Sequence, residues 1–136
     1  MLNRIDELIA KKHDFAFETT LASKSFAALC REVQVKGYIV CLAFFWLDNV
    51  ELAIERVKQR VSEGGHNIPE DTIMRRYKAG LKNFFTLYRD IVNYWVFLDN
   101  SGREPRLIAE GKGGAGMVAY IQEKWENILK YANGFY

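Results

Sequence analysis

The sequence predicts an α/β domain built on a parallel sheet with helices on both faces, and three observations carry that prediction. Tyr38 to Leu47 (Y-I-V-C-L-A-F-F-W-L) is apolar on both alternating faces, the pattern of a central strand covered from both sides. Tyr94 to Leu98 (Y-W-V-F-L) repeats it and ends in the turn-forming Asp99-Asn100-Ser101-Gly102. Around these runs apolar residues return at helical spacing, so strands alternate with helices and the architecture is three-layered.

In chain order, Leu2, Ile5, Leu8 and Ile9 define one face of a short amphipathic helix. Asp14 to Thr20 (D-F-A-F-E-T-T), rich in aromatic and β-branched residues, is expected as a strand ending in Glu18-Thr19-Thr20. Ser23 is placed to cap a helix carrying Phe26, Leu29, Cys30 and Val33, with Gly37 as its stop. Asp48 and Glu51 form a capping box ahead of Val50, Ile54, Val57 and Val61, and Gly64-Gly65 ends that helix. Pro69 restarts a long one through Ile73, Tyr77, Leu81, Phe84, Tyr88 and Ile91. Arg106 to Ala109 is a short hairpin partner for the second strand, and a last helix is expected from about Gly116 to Ala132. No repeat or linker divides residues 1–136, so they form one domain.

With 19 basic and 17 acidic side chains, the excess of +2 is too small to imply a nucleic-acid or membrane partner by itself, which leaves local clusters to be read one by one. An apolar fraction of 49% excludes a disordered chain. Cys30 and Cys41 lie inside apolar runs and read as buried, reduced thiols, which points to the cytoplasm. The apolar run at 38–47 has about half the length of a membrane span.

Glu55 to Lys82 is the densest polar cluster. Arg56 and Arg60 lie four apart on the incoming helix, and Arg75, Arg76, Lys78 and Lys82 cover the outgoing one. With Gly64-Gly65-His66-Asn67 as a flexible corner, the pair forms a helical hairpin, about residues 55–92, able to close arginines over an anionic ligand. A solvated helix pair, its arginines matched by Glu55, Glu63, Glu70 and Asp71, fits the same spacing. The interleaved acids argue against a nucleic-acid face. Glu18, Thr19 and Thr20 stand at a strand end, where α/β proteins place ligand contacts, although a threonine there also suits a turn cap. His66 has no partner at metal-ligand spacing. Gly111-Lys112-Gly113-Gly114-Ala115-Gly116 does not match G-x-x-x-x-G-K-[ST] and reads as a connector.

As a set, F-A-F-E-T-T-L-A-S (Phe15 to Ser23), E-L-A-I-E-R-V (Glu51 to Val57), R-V-x-x-G-G-H-x-I-P (Arg60 to Pro69), I-M-R-R-Y-K-A-G-L-x-N-F (Ile73 to Phe84) and D-N-S-G (Asp99 to Gly102) resemble the zeta-toxin-like P-loop kinases, in order from about Leu2 to Glu110. The resemblance implies a P-loop NTPase-like fold and an ATP- or GTP-dependent phosphotransferase using Mg2+. Its best-known members phosphorylate a sugar hydroxyl of UDP-N-acetylglucosamine and act as toxins checked by an antitoxin protein. It also implies roles for individual residues. Glu18, Thr19 and Thr20 would contact substrate, Arg60 with Arg75 or the adjacent Arg76 would grip the triphosphate and stabilise the transferring group, and Asn100 would contact nucleotide.

Family members begin with a strand, a G-x-x-x-x-G-K-[ST] loop, a helix and a catalytic aspartate, and none of these precedes the first helix here. The expectation is therefore the C-terminal part of such a kinase, lacking the first strand, P-loop and first helix and inactive alone. The alternative is a non-catalytic binding or interaction module derived from one. Either leaves a sheet edge open for self-association.

Overall fold

The computed structural model describes residues 2–134. Strand β1 (Cys41–Trp46) lies parallel to β2 (Tyr94–Asp99), with Cys41 opposite Tyr94 and Trp46 opposite Asp99. Antiparallel β3 (Arg106–Gly111) follows beside β2, as expected of the hairpin partner, and β4 (Met117–Ala119) beside β3. The sheet order is β1-β2-β3-β4, so only its first pair is parallel and the sheet is mixed.

Strand β4 replaces the expected start of the last helix. Gly113 and Gly116 adopt φ of 53° and 154°, and Lys112 N–H donates to the Gly116 carbonyl at 3.0 Å, which turns the chain back onto β3. Residues 112–116 are thus a hairpin turn, and helix α6 runs only over Gln122–Asn133.

Helices α1 (Leu2–Ala10) and α2 (Phe26–Val35) bury Ile5, Ile9 and Val33 in a small cluster of their own, joined by Phe15, Leu29 and Tyr38. Helices α3 (Val50–Ser62) and α4 (Glu70–Asn83) form the expected hairpin. The α3 cap is Asn49, whose side chain accepts from Leu52 N–H at 2.8 Å, while Asp48 N–H donates to Ser101 Oγ instead. Helix α4 continues through a π-helical turn (Phe84–Tyr88) into the single turn α5 (Arg89–Ile91). The wider turn lets two consecutive aromatics, Phe84 and Phe85, both face the core. There they meet Phe44, Trp95, Phe97 and, from α6, Trp125, whose ring stacks on Trp95 at 5.7 Å. A Cβ on Gly111 would fall 2.6 Å from the Trp95 indole, so the sheet leaves that ring room only beside a glycine.

The coverage of the sheet and the burial of Cys41 also differ from expectation. Helices α4 and α6 and the π turn cover one face of the sheet, but on the other Cys41, Ala43, Phe45 and Tyr94 are exposed, Phe45 by 54%. Among the described residues the architecture is therefore two-layered at β1. The Cys41 thiol, expected to be buried, is exposed with that face.

Residues 14–20 are a loop, not a strand. A strand needs a neighbour for its backbone groups, and the chain immediately after this segment is fastened by side chains instead. Asn83 Nδ2 donates to the Leu21 carbonyl at 2.7 Å, and the Tyr88 hydroxyl to that of Ser23 at 2.6 Å. Leu21 itself has φ of 58°, a left-handed turn that no strand continues through.

Candidate functional site

The described chain converges on the carboxyl ends of the parallel pair, where open α/β sheets bind ligands. Asp99, the last residue of β2, is 8% exposed. Its Oδ2 receives Lys124 Nζ of α6 at 2.6 Å, and its Oδ1 accepts from Ser101 N–H at 2.9 Å. Burial opposes the charge of this carboxylate, but the hydrogen bonds from Lys124 and Ser101 outweigh it and hold the carboxyl below its ordinary value. Lys124 also sits over the Trp46 ring, 5.5 Å from its centre.

Ser101 fans these restraints outward. Its Oγ accepts from Asp48 N–H at 2.8 Å after β1, and its carbonyl accepts from Arg56 Nη2 at 3.2 Å. Asn100 N–H donates to the Trp46 carbonyl at 2.7 Å. Tyr77 of α4 donates its hydroxyl to the Leu47 carbonyl at 2.6 Å. Burial raises the Tyr77 pKa, and Tyr131 and Asp48 nearby add to it, so that proton stays on the ring oxygen. Both helices of the hairpin are thereby tied to the strand ends, α3 by Arg56 and α4 by Tyr77.

The residues singled out in the sequence fall into three groups. Asn100 is half-buried within this strand-end network. Glu18, Thr19 and Thr20 are exposed in the loop that crosses α4, where Thr19 Oγ1 and Thr20 Oγ1 accept from the Leu21 and Ala22 N–H groups. The Thr20 carbonyl lies against Gly80, so closely that a Cβ there would collide with it. Arg60 is exposed in the last turn of α3, with its carbonyl accepting from Gly65 N–H at 2.7 Å, and Lys58 bridges to Glu70 at 3.0 Å across the hairpin. Arg76 stands one turn before Gly80 on the same face and is half-buried; Arg75 is exposed and rotated away. Asp99, Lys124, Arg56 and Tyr77 form the best-connected cluster. Of these, Lys124 had no sequence signal beyond a position on a helix.

A family model described as "Zeta toxin" matches residues 2–109. The chain belongs to the zeta toxin family. The match covers the hairpin, the loop of Glu18 to Thr20 and both parallel strands, and stops before β4 and α6, so Lys124 comes from outside it. An uncharacterized protein of Haemophilus influenzae is 35% identical over 68 residues, which are 49% of this chain and 49% of that one. The chain thus spans about half the length of the curated relative it matches. No solved structure matches it. No helix among the described residues is long and apolar enough to cross a membrane.

The family's nucleotide and Mg2+ fit these residues only in part. Arginines on the hairpin suit the outer charge of a triphosphate. The glycine-rich run 112–116 is a hairpin turn rather than a strand-to-helix cradle, and among the described residues no three His, Cys, Asp or Glu side chains converge as a metal site.

Proposed function

We propose that this chain is the lid and substrate side of an ATP- or GTP-dependent kinase that phosphorylates a sugar hydroxyl, such as that of UDP-N-acetylglucosamine, and that it is inactive without a phosphate-binding loop. The carrying observation is the arginine-bearing hairpin anchored at the carboxyl ends of β1 and β2 by Arg56 and Tyr77. In this reading residues 1–136 are one partial kinase domain, and the hairpin, about residues 55–92, is its lid.

Arg60 and Arg76 supply positive charge to the triphosphate, Glu18 and Thr19 contact the sugar, and Asn100 contacts the nucleotide. Arg76 is preferred to Arg75 because it shares the inner face of α4 with Gly80. Phosphoryl transfer needs alignment and charge neutralisation more than covalent help, and a closing pair of guanidinium groups supplies both. An antitoxin protein is the partner, the compartment is the cytoplasm, and the open edge of β1 is where a second chain would pair.

A non-catalytic binding module is the second reading, favoured by one observation: the 136 residues contain no G-x-x-x-x-G-K-[ST]. The arginines decide between the roles when the chain is fused behind the strand, P-loop and helix of an active family member. Arg60→Ala and Arg76→Ala are each expected to slow phosphoryl transfer on the order of a hundredfold, and Arg75→Ala by less than tenfold. Unchanged rates in the first two, measured with labelled ATP, would remove these residues from the mechanism.

A further inference from the structure

Three backbone carbonyls between Thr20 and Ser23 rest on one row of positions along α4 and the π turn. The Thr20 carbonyl fills the space that a Cβ on Gly80 would need. Asn83 Nδ2 donates to the Leu21 carbonyl at 2.7 Å, and the Tyr88 hydroxyl to the Ser23 carbonyl at 2.6 Å. Asn83 and Tyr88 are only 3% and 1% exposed, so both side chains are sheltered from water and their bonds to the loop are costly to break. Burial also raises the Tyr88 pKa, which keeps on the ring the proton that it donates.

The π turn is what aligns this row. Gly80 and Asn83 are three apart and adjoin on the helix surface. Tyr88 lies five beyond Asn83, a spacing that in an α-helix would turn it roughly 140° away. The π turn spans one more residue than an α turn and returns Tyr88 toward the side of Asn83. Exposed Thr86 braces it, donating its hydroxyl to the Lys82 carbonyl at 2.7 Å. The extra residue that lets Phe84 and Phe85 both face the core therefore also sets Asn83 and Tyr88 beneath the same loop.

The held backbone passes its position on to side chains. Leu21, whose carbonyl takes Asn83, gives its N–H to Thr19 Oγ1 at 3.2 Å. Ala22, fixed between Leu21 and Ser23, gives its N–H to Thr20 Oγ1 at 3.4 Å. The left-handed φ of 58° at Leu21 is costly for a branched side chain and persists only where its surroundings enforce it, which these two donors do. Arg76 stands one turn before Gly80 on the same helix.

We propose that Asn83 and Tyr88 are positioning residues that fix Glu18, Thr19 and Thr20 relative to Arg76, so that one helix sets the distance between the acceptor sugar and the charge steadying the transferring phosphoryl group. That the loop meets a sugar rests on the function proposed above; its anchoring to α4 and the π turn does not.

Amide NMR of the 136-residue chain tests the anchoring, and steady-state kinetics of the P-loop fusion test its consequence. Tyr88→Phe removes one oxygen and leaves the ring in the core, whereas Asn83→Ala removes the amide. Each should shift the amide resonances of residues 19–23 and speed hydrogen exchange at Leu21 and Ala22, with the amides of β1 and β2 in place. In the fusion each should raise KM for UDP-N-acetylglucosamine about fivefold, roughly one hydrogen bond's worth, and change kcat and KM for ATP by less. Tyr88→Phe decides alone if Asn83→Ala does not fold. Loop amides unmoved by the substitutions would overturn the anchoring. A fall in kcat with the sugar KM unchanged would make both residues supports of the fold and overturn the positioning role. Displaced loop amides together with a folded fusion that transfers no phosphate would keep the anchoring and remove the kinase reading.

Discussion

Gly80→Ala is expected to destabilise the chain by about 2 kcal/mol, although alanine is the better helix former by roughly 1 kcal/mol. The reason is the Thr20 carbonyl, a backbone atom that lies where the new Cβ would go. Helix α4 cannot retreat, because Leu81, Asn83 and Phe84 on neighbouring positions are buried. The loop must lift, and lifting it lengthens the Asn83 to Leu21 and Tyr88 to Ser23 hydrogen bonds, which hold the loop in place of strand pairing. Chemical denaturation of the wild type and the variant measures the effect. Equal or greater stability in Gly80→Ala would mean that the loop does not rest on α4. The same variant should displace Glu18 to Thr20, so in a P-loop fusion it should raise KM for the sugar substrate more than it lowers kcat.

Asp99→Ala should cost about 2–3 kcal/mol, near the lower end for breaking a buried ion pair because Lys124 retains partial access to water. Two losses combine. Lys124 keeps its charge against Trp46 without a counter-ion, and Ser101 loses the acceptor that fixes its N–H, which frees the turn holding Asp48 and Arg56. Lys124→Met in the Asp99→Ala background should recover part of the loss, since the uncompensated cation is then gone. The pH dependence follows from the direction of the Asp99 shift. A carboxyl whose folded value is depressed contributes its full stabilisation above its unfolded pKa, about 4, and loses it as pH falls through the lower folded value. Thermal melts of the wild type should therefore fall more steeply below pH about 4 than those of Asp99→Asn. Parallel curves would place the acid-sensitive group elsewhere.

Local pattern made the parallel strands, the helical hairpin and the β3 partner legible, because each buries residues at a period that only one element type satisfies. Phe44, Trp46, Trp95 and Phe97 alternate, whereas Ile73, Tyr77, Leu81 and Phe84 recur at helical intervals. Residues 14–20 carried strand propensity, yet propensity cannot supply a neighbouring strand, and Leu21 turns the chain instead. Val118 and Ile121 suited the final helix by spacing, but the glycines at 113 and 116 made a hairpin available and β3 offered its free edge. Doubly apolar spacing in Tyr38 to Leu47 reads as burial on both faces; it records only what the strand could cover, and Phe45 remains exposed.

The candidate site was legible to a similar extent. Arginines at helical spacing announce a hairpin, whereas the half-burial of Arg76 beside the exposure of Arg75 depends on which face of α4 packs inward, and one sequence does not encode that. The Asp99 to Lys124 pair joins residues 25 apart on different elements, so no local spacing encodes it.

Phosphoryl transfer from labelled ATP to UDP-N-acetylglucosamine, measured on the 136-residue chain alone and on the same chain fused behind a family P-loop unit, tests the central claim most directly. The expected result is no transfer by the chain alone and transfer by the fusion that Arg76→Ala reduces on the order of a hundredfold. Turnover by the chain alone, or an inactive fusion that nevertheless folds and binds ATP, would contradict it.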